Sequence, residues 1–230
     1  FRRQAHVDEI NKNNNRLLIE KTEGDIFVPV FATTDPSEVS EADLLIVAVK
    51  NHDTQSALES VRHMRIKAIA SVQNGLGHGE RFRALFPDAE ILRIVSRVAG
   101  SLIDYGKVHR GDDDFPTWIG NPFDGVTPFV QEVVDLFNQA GLPCEASDDI
   151  EGVEWCKVIW WTPSSISAVL SRLPQTEVMQ SADFAHLMVM ITRDMVKVAN
   201  AIGVTIQDYP TIEVMDRCTG SIAEGVQNVQ

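Results

Sequence analysis

The pattern of apolar and polar positions changes character near residue 150. Before that point short β-prone apolar runs alternate with amphipathic stretches, and after it apolar positions recur at helical spacing to the end of the chain. Residues 44–50, Leu-Leu-Ile-Val-Ala-Val-Lys, form a continuous apolar run closed by a charge, as expected of a parallel strand covered on both faces. Asp53 or Thr54 can cap a helix running through Met64, and residues 67–72 supply the next strand. Strand, crossover helix and strand in that order are the signature of a doubly wound parallel sheet. Residues 80–86 read as a helix stopped by Pro87, and residues 90–95 as another strand. Upstream, Val7 and Ile10 mark turns of a helix, while residues 16–19 and 27–31 read as short strands. Gly100, Gly106 and Gly111 divide residues 97–119 into segments that suggest antiparallel pairs closing the domain. Residues 123–140 are helical with Gly141 as C-cap, and residues 142–145 make a last edge strand.

After Asp148 and Asp149, both good N-cap residues, the strand signals stop. Pro163 interrupts the first long helix there, at a cost of about 3 kcal/mol in a regular interior, so a kink is expected. Residues 184–202 carry Leu187, Met190, Ile191, Met195, Val198 and Ile202 at helical spacing, ending at Gly203. Residues 211–229 read as a further helix without a visible partner. The predicted organisation is an α/β domain over residues 1–148 and an all-helical domain over residues 149–230.

Charge narrows the partners. Twenty basic against thirty-three acidic residues leave a net charge of -13, the wrong sign for phosphate backbones or anionic membranes, so neither nucleic acid nor a membrane is expected as a partner. No run approaches the roughly 18 apolar residues of a membrane span. Cys144, Cys156 and Cys218 are scattered and odd in number, which points to a reducing, cytoplasmic setting. The six histidines show no metal-ligand spacing, so no metal site is expected.

The candidate chemistry gathers at residues 69–80, Ile-Ala-Ser-Val-Gln-Asn-Gly-Leu-Gly-His-Gly-Glu, where an apolar strand ends in a polar, glycine-punctuated corner. Open α/β sheets hold ligands at the carboxyl ends of their strands. Gln73 and Asn74 offer amides, and Gly75 and its neighbours permit close backbone approach, although Asn-Gly is also an ordinary turn signal. Lys50 emerges at the same edge, either as a solvated lysine or as a partner for phosphate or carboxylate. Arg2 and Arg3 are either exposed charge or a clamp on a 2′-phosphate. Lys157 lies in Glu-Trp-Cys-Lys-Val-Ile-Trp-Trp, where desolvation would lower its pKa and suit a proton donor near neutral pH. The alternative is a lysine snorkelling over the indoles of Trp155 or Trp161.

Val49-Lys50 with Thr54, Gln73-Asn74-Gly75-Leu76-Gly77 with Glu80, Gly106-Lys107-Val108-His109, Ile119-Gly120 and Trp155-Cys156-Lys157 occur in the order and spacing of ketopantoate reductases. The chain resembles that family over nearly all its length. The resemblance implies a Rossmann-type NADP-binding domain, a helical substrate and dimerisation domain, and an active site in the cleft between them. It further implies hydride transfer from NADPH to the ketone carbon of a small 2-oxo acid, the reaction of pantothenate biosynthesis, with a homodimer as the expected assembly. By the same resemblance Lys157 gives a proton to the ketone oxygen, Asn74 sits between nicotinamide and substrate, Lys50 reaches cofactor phosphate and Gly75 allows close approach. Arg2, or Arg3 if the alignment shifts by one, recognises the 2′-phosphate of NADP.

Three departures accompany the resemblance. The family's first strand and Gly-rich loop are expected before Phe1, and its carboxylate-binding serine and a substrate-contacting glutamate after Gln230, so the chain reads as trimmed at both ends. Within the chain, the pocket asparagines one and two turns after the catalytic lysine are replaced by Trp161 and by Ser165, or Ser164 if a residue is lost. An indole there points to a more apolar 2-oxo acid. The alternative is a non-catalytic NADP-binding paralogue acting as a sensor or interaction module.

Overall fold

The computed structural model describes residues 3–111 and 115–229. Helix α1 (Gln4–Lys12) is followed by β1 (Arg16–Glu20), β2 (Ile26–Pro29), β3 (Glu41–Val47), α2 (Thr54–Ser60), β4 (Arg65–Ser71), α3 (His78–Leu85) and β5 (Glu90–Ser96). Then come β6 (Gly100–Asp104), β7 (Lys107–Arg110), β8 (Thr117–Gly120), α4 (Pro128–Gln139) and β9 (Cys144–Ala146). The chain continues through α5 (Ile150–Ser171), α6 (Gln175–Met179), α7 (Ala182–Ala201), α8 (Met215–Cys218) and α9 (Ile222–Val229). This is the α/β architecture with a parallel sheet and a helical C-terminal region that the pattern predicts.

The main sheet has the order β3-β4-β5-β8-β9. Strands β3, β4 and β5 are parallel, β8 runs antiparallel to β5, and β9 is parallel to β8. Alternation of side chains sends Ala68, Ala70, Leu92 and Ile94 toward the apolar face of α4. Ile69 and Ile91 pack on the other face with Leu58 of α2 and Phe82 of α3. Thr127 caps α4 by accepting from the Val130 amide at 3.1 Å, and Pro128 occupies its first position. A smaller sheet, β2-β1-β7-β6, joins the N-terminal strands to the hairpin turned at Gly106.

Helix α5 is sealed onto the sheet from its first turn. Asp149 accepts from the Gly152 amide at 2.9 Å, and Ile150, Val153, Cys156 and Ile159 share a core with Val95 of β5 and Trp118 of β8. Gly120 permits this approach, since a Cβ there would lie 2.3 Å from the Ser147 carbonyl oxygen and 2.8 Å from Ile150 Cβ.

Strand β3 packs Leu44 against the α4 side and Leu45 and Val47 against the α2–α3 side, so both faces contribute to the core, although Ile46 is exposed. Two expectations for the C-terminal region are corrected. The 211–229 segment is not one helix, because Thr219 is extended and Gly220 takes a φ of 68° between α8 and α9. A capping box restarts the helix: the Ser221 hydroxyl accepts from the Glu224 amide, and the Glu224 carboxylate accepts from the Ser221 amide. Nor is the segment unpartnered, since Val226 and Val229 pack with Met188 and Val189 of α7. Helix α5 runs through Pro163. Among the described residues no helix is long and apolar enough to cross a membrane.

Candidate active site

The polar corner after β4 is built from the inside outward. Gln73 is buried, and its side-chain amide donates to the Val49 carbonyl and to Thr54 Oγ1, each at 2.7 Å. Its amide oxygen accepts from Ser71 Oγ at 3.1 Å. Gln73 therefore staples the β4–α3 corner to the β3–α2 corner, and its side chain faces the protein. The chain then turns through Gly75 and Gly77, whose φ values of 104° and 75° are ones that L side chains rarely adopt. The turn leaves Asn74 exposed at the sheet edge.

His78, at the start of α3, is buried and contacts the Asn74 carbonyl through Nε2 at 3.3 Å. A carbonyl only accepts, so in this contact Nε2 carries the proton. Burial, then the positive charge of Arg93, lowers the His78 pKa. The ring is thus neutral near pH 7.

Lys157 reaches this corner from α5. Its ammonium donates to Asn74 Oδ1 at 3.0 Å and to the Ser96 carbonyl at 2.7 Å. Burial pushes its pKa down to about 8, and the guanidiniums of Arg93 and Arg97 add to the effect. Snorkelling over an indole is not its arrangement; Arg97 instead lies 4.3 Å from the Trp160 ring centroid. Lys157 and Asn74 line a cavity of about 130 Å³ with Gly75, Val158, Trp161 and Thr162. A wider cleft of about 750 Å³ between α1 and the 29–38 segment holds none of this chemistry, so volume alone does not select the site.

The other sequence-predicted residues separate. Trp161, 47% exposed, lines the cavity one turn after Lys157. Ser164 does not, because its hydroxyl donates to the Trp161 carbonyl at 2.9 Å and accepts from Gln175 at 2.6 Å. Ser165 is half-buried outside the cavity lining. Lys50 is exposed just beyond the carboxyl end of β3. Arg3 is exposed at the N-cap of α1, and Arg2 lies outside the described residues. Sequence reasoning missed Arg93 and Glu154, a buried ion pair against the same cavity. Its signal was legible: a lone charge inside an apolar strand, and a carboxylate three residues before Lys157 on the same helix face.

Sheet, crossover helices and a polar corner at the strands' carboxyl edge define a Rossmann-like α/β protein. A sequence model of the family described as ketopantoate reductase PanE/ApbA matches residues 1–122. The chain belongs to that family. It is 30% identical over 191 residues to a 2-dehydropantoate 2-reductase from Pyrococcus abyssi, covering 82% of this chain and 60% of that relative. Among solved structures, a PanE/ApbA family ketopantoate reductase from Ralstonia eutropha JMP134 is 26% identical, with a TM-score of 0.80 over 99% of this chain and 70% of its own. A D-mandelate dehydrogenase solved with NADH and anilino(oxo)acetate shares the fold, with a TM-score of 0.82 and 16% identity over 99% of this chain and 70% of its own.

Proposed function

We propose that this chain carries the site of an NADPH-dependent reductase that converts a 2-oxo acid, 2-dehydropantoate or a relative, to the 2-hydroxy acid. The observation that carries the reading is the Lys157 ammonium, held 3.0 Å from Asn74 Oδ1 at the cavity wall with its pKa lowered to about 8. Such a group donates a proton near neutral pH. A reduced nicotinamide held there would supply the hydride. The residues present fit that cofactor: Gly75 has no Cβ and a φ of 104°, Asn74 is exposed beside it, and Lys50 offers a charge at the neighbouring strand end. Lys157 hydrogen-bonds the ketone oxygen and gives it a proton as negative charge develops there. Asn74 orients the ammonium and the substrate. Gln73 contributes by holding the corner, and Arg3, with Arg2, is proposed to select NADP over NAD through the 2′-phosphate.

The indole of Trp161 is an apolar cavity wall, which favours a 2-oxo acid with an apolar side chain. Residues 1–148 are proposed to serve the cofactor, and residues 149–230 the substrate and pairing in a cytoplasmic homodimer. The test is NADPH oxidation with 2-dehydropantoate beside bulkier, more apolar 2-oxo acids, together with NADPH binding followed by fluorescence. Lys157→Ala is expected to abolish turnover and leave NADPH binding largely intact. Undiminished turnover, or loss of NADPH binding, counts against Lys157 as the proton donor.

A further inference from the structure

The cavity wall contains a charge in an unusual place. On one face of β5, Ile91 packs beside α3 and Val95 beside α5. Arg93 lies between them on that face and is 3% exposed. Its Nη1 donates to the Ser71 carbonyl at 3.1 Å and its Nη2 to the Gln73 carbonyl at 3.2 Å. The same Nη2 meets the Glu154 carboxylate of α5. Ser71 ends β4, Gln73 precedes Asn74, and Glu154 stands one helical turn before Lys157. A single guanidinium thus ties the segment that carries Asn74 to the helix that carries Lys157.

Packing does not account for this pair. Replacing a buried ion pair with well-packed apolar residues is often neutral or stabilising. The neighbours of Arg93 along β5 are apolar and buried, and its Nε has no hydrogen-bond partner, so the strand would accept an aliphatic side chain more readily.

We infer that Arg93 and Glu154 are a positioning pair for the proposed reduction, holding the Asn74 amide and the Lys157 ammonium in register and balancing a guanidinium against a carboxylate beside that ammonium. The inference rests on the reading of Lys157 as proton donor. Both residues act through Lys157 and Asn74. Among the described residues, the charged and titratable groups around the Lys157 ammonium are Arg93 on β5, Arg97 just beyond it, Glu154 on α5, and His78 of α3 through the Asn74 carbonyl. Loss of the Glu154 charge alone leaves Arg93 uncompensated, so Lys157 holds its proton less tightly. Loss of both charges removes a neighbouring cation, so Lys157 holds its proton more tightly.

The test uses the full chain with 13Cε-labelled lysine, the Lys157 signal being assigned from Lys157→Arg. Its titration is followed by NMR, without cofactor or substrate, in wild type, Glu154→Gln and Arg93→Met/Glu154→Leu. The midpoint is expected to fall in Glu154→Gln and to rise in the double variant. Turnover of a 2-oxo acid by the double variant is expected to drop about 10- to 100-fold in kcat, as for misplacement of reacting groups by about an ångström, with KM for NADPH unchanged. Wild-type midpoints and wild-type kcat in both variants overturn the inference, and so does failure of both to fold, which makes the pair a packing element. Shifted midpoints without turnover of any 2-oxo acid by wild type remove the reductase reading and leave the positioning of Lys157 standing.

Discussion

Lys157→Met tests the electrostatics of the site without any ligand. In the folded chain, burial and the Arg93 and Arg97 guanidiniums push the ammonium from an ordinary value of 10.5 down to about 8. That difference corresponds to about 3 kcal/mol against the charged form. In the unfolded chain the lysine is solvated and titrates at its ordinary value. Between the two values the unfolded state binds more protons than the folded one, so stability rises with pH. The contribution is fully present above the unfolded value and is lost as pH falls through the folded one. Two-state linkage then gives wild type a gain over Lys157→Met of about 2–3 kcal/mol between pH 7 and pH 10. Other groups titrate alike in both proteins and cancel in the difference. Urea unfolding of the two proteins at pH 7, 8, 9 and 10 measures it. Extrapolation errors of about 10–15% leave an effect of that size visible. A difference that is flat, or that shrinks with rising pH, refutes the buried-ammonium account.

The same value sets an activity profile: kcat/KM for reduction is expected to fall as pH passes about 8, where Lys157 loses its proton. A rate constant through pH 9.5 in NADPH oxidation assays argues for another donor. Gly120→Ala inserts a Cβ 2.3 Å from the Ser147 carbonyl oxygen. The overpacking is expected to cost about 1–3 kcal/mol, seen as a lower melting temperature, and an unchanged melt contradicts the tight β8–α5 contact. Thr127→Ala removes the cap on the Val130 amide. It is expected to cost about 1 kcal/mol in urea unfolding, and no loss there means the cap is dispensable.

Element types were legible because they depend on local period. Ala68, Ile69 and Ala70 form a buried β run, and the helical spacing from Leu187 to Ile202 marks α7, although the face it buries is that of Ala185, Met188, Val189, Thr192 and Ala199, and Met190, Val198 and Ile202 of the expected stripe are exposed. The corner at residues 73–77 was legible for the same reason, since its glycines and amides are local turn chemistry. The break in the 211–229 segment was also written locally, in Gly220 and in the Ser221 to Glu224 capping box, and was overlooked because its apolar periodicity runs past the break. The exposure of Ile46 on β3 was not legible, because an apolar run does not say which of its residues a neighbouring element covers. Pairing of β1 with β7 joins residues about ninety positions apart in the chain, at Leu18 and Lys107, and no local signal specifies it.

The sequence by itself determined the α/β order, the helical C-terminal region, the family resemblance, and Asn74 and Lys157 as chemically marked residues, since each rests on composition, period or motif within a short window. Only the tertiary structure decided that Lys157 donates to Asn74 across 83 residues, that Ser164 faces α6, that Gln73 serves the corner, and that Arg93 and Glu154 bind loop to helix. Direction and distance across elements depend on how the sheet and helices pack, and the desolvation that lowers the pKa of Lys157 exists only when α5 closes against β5.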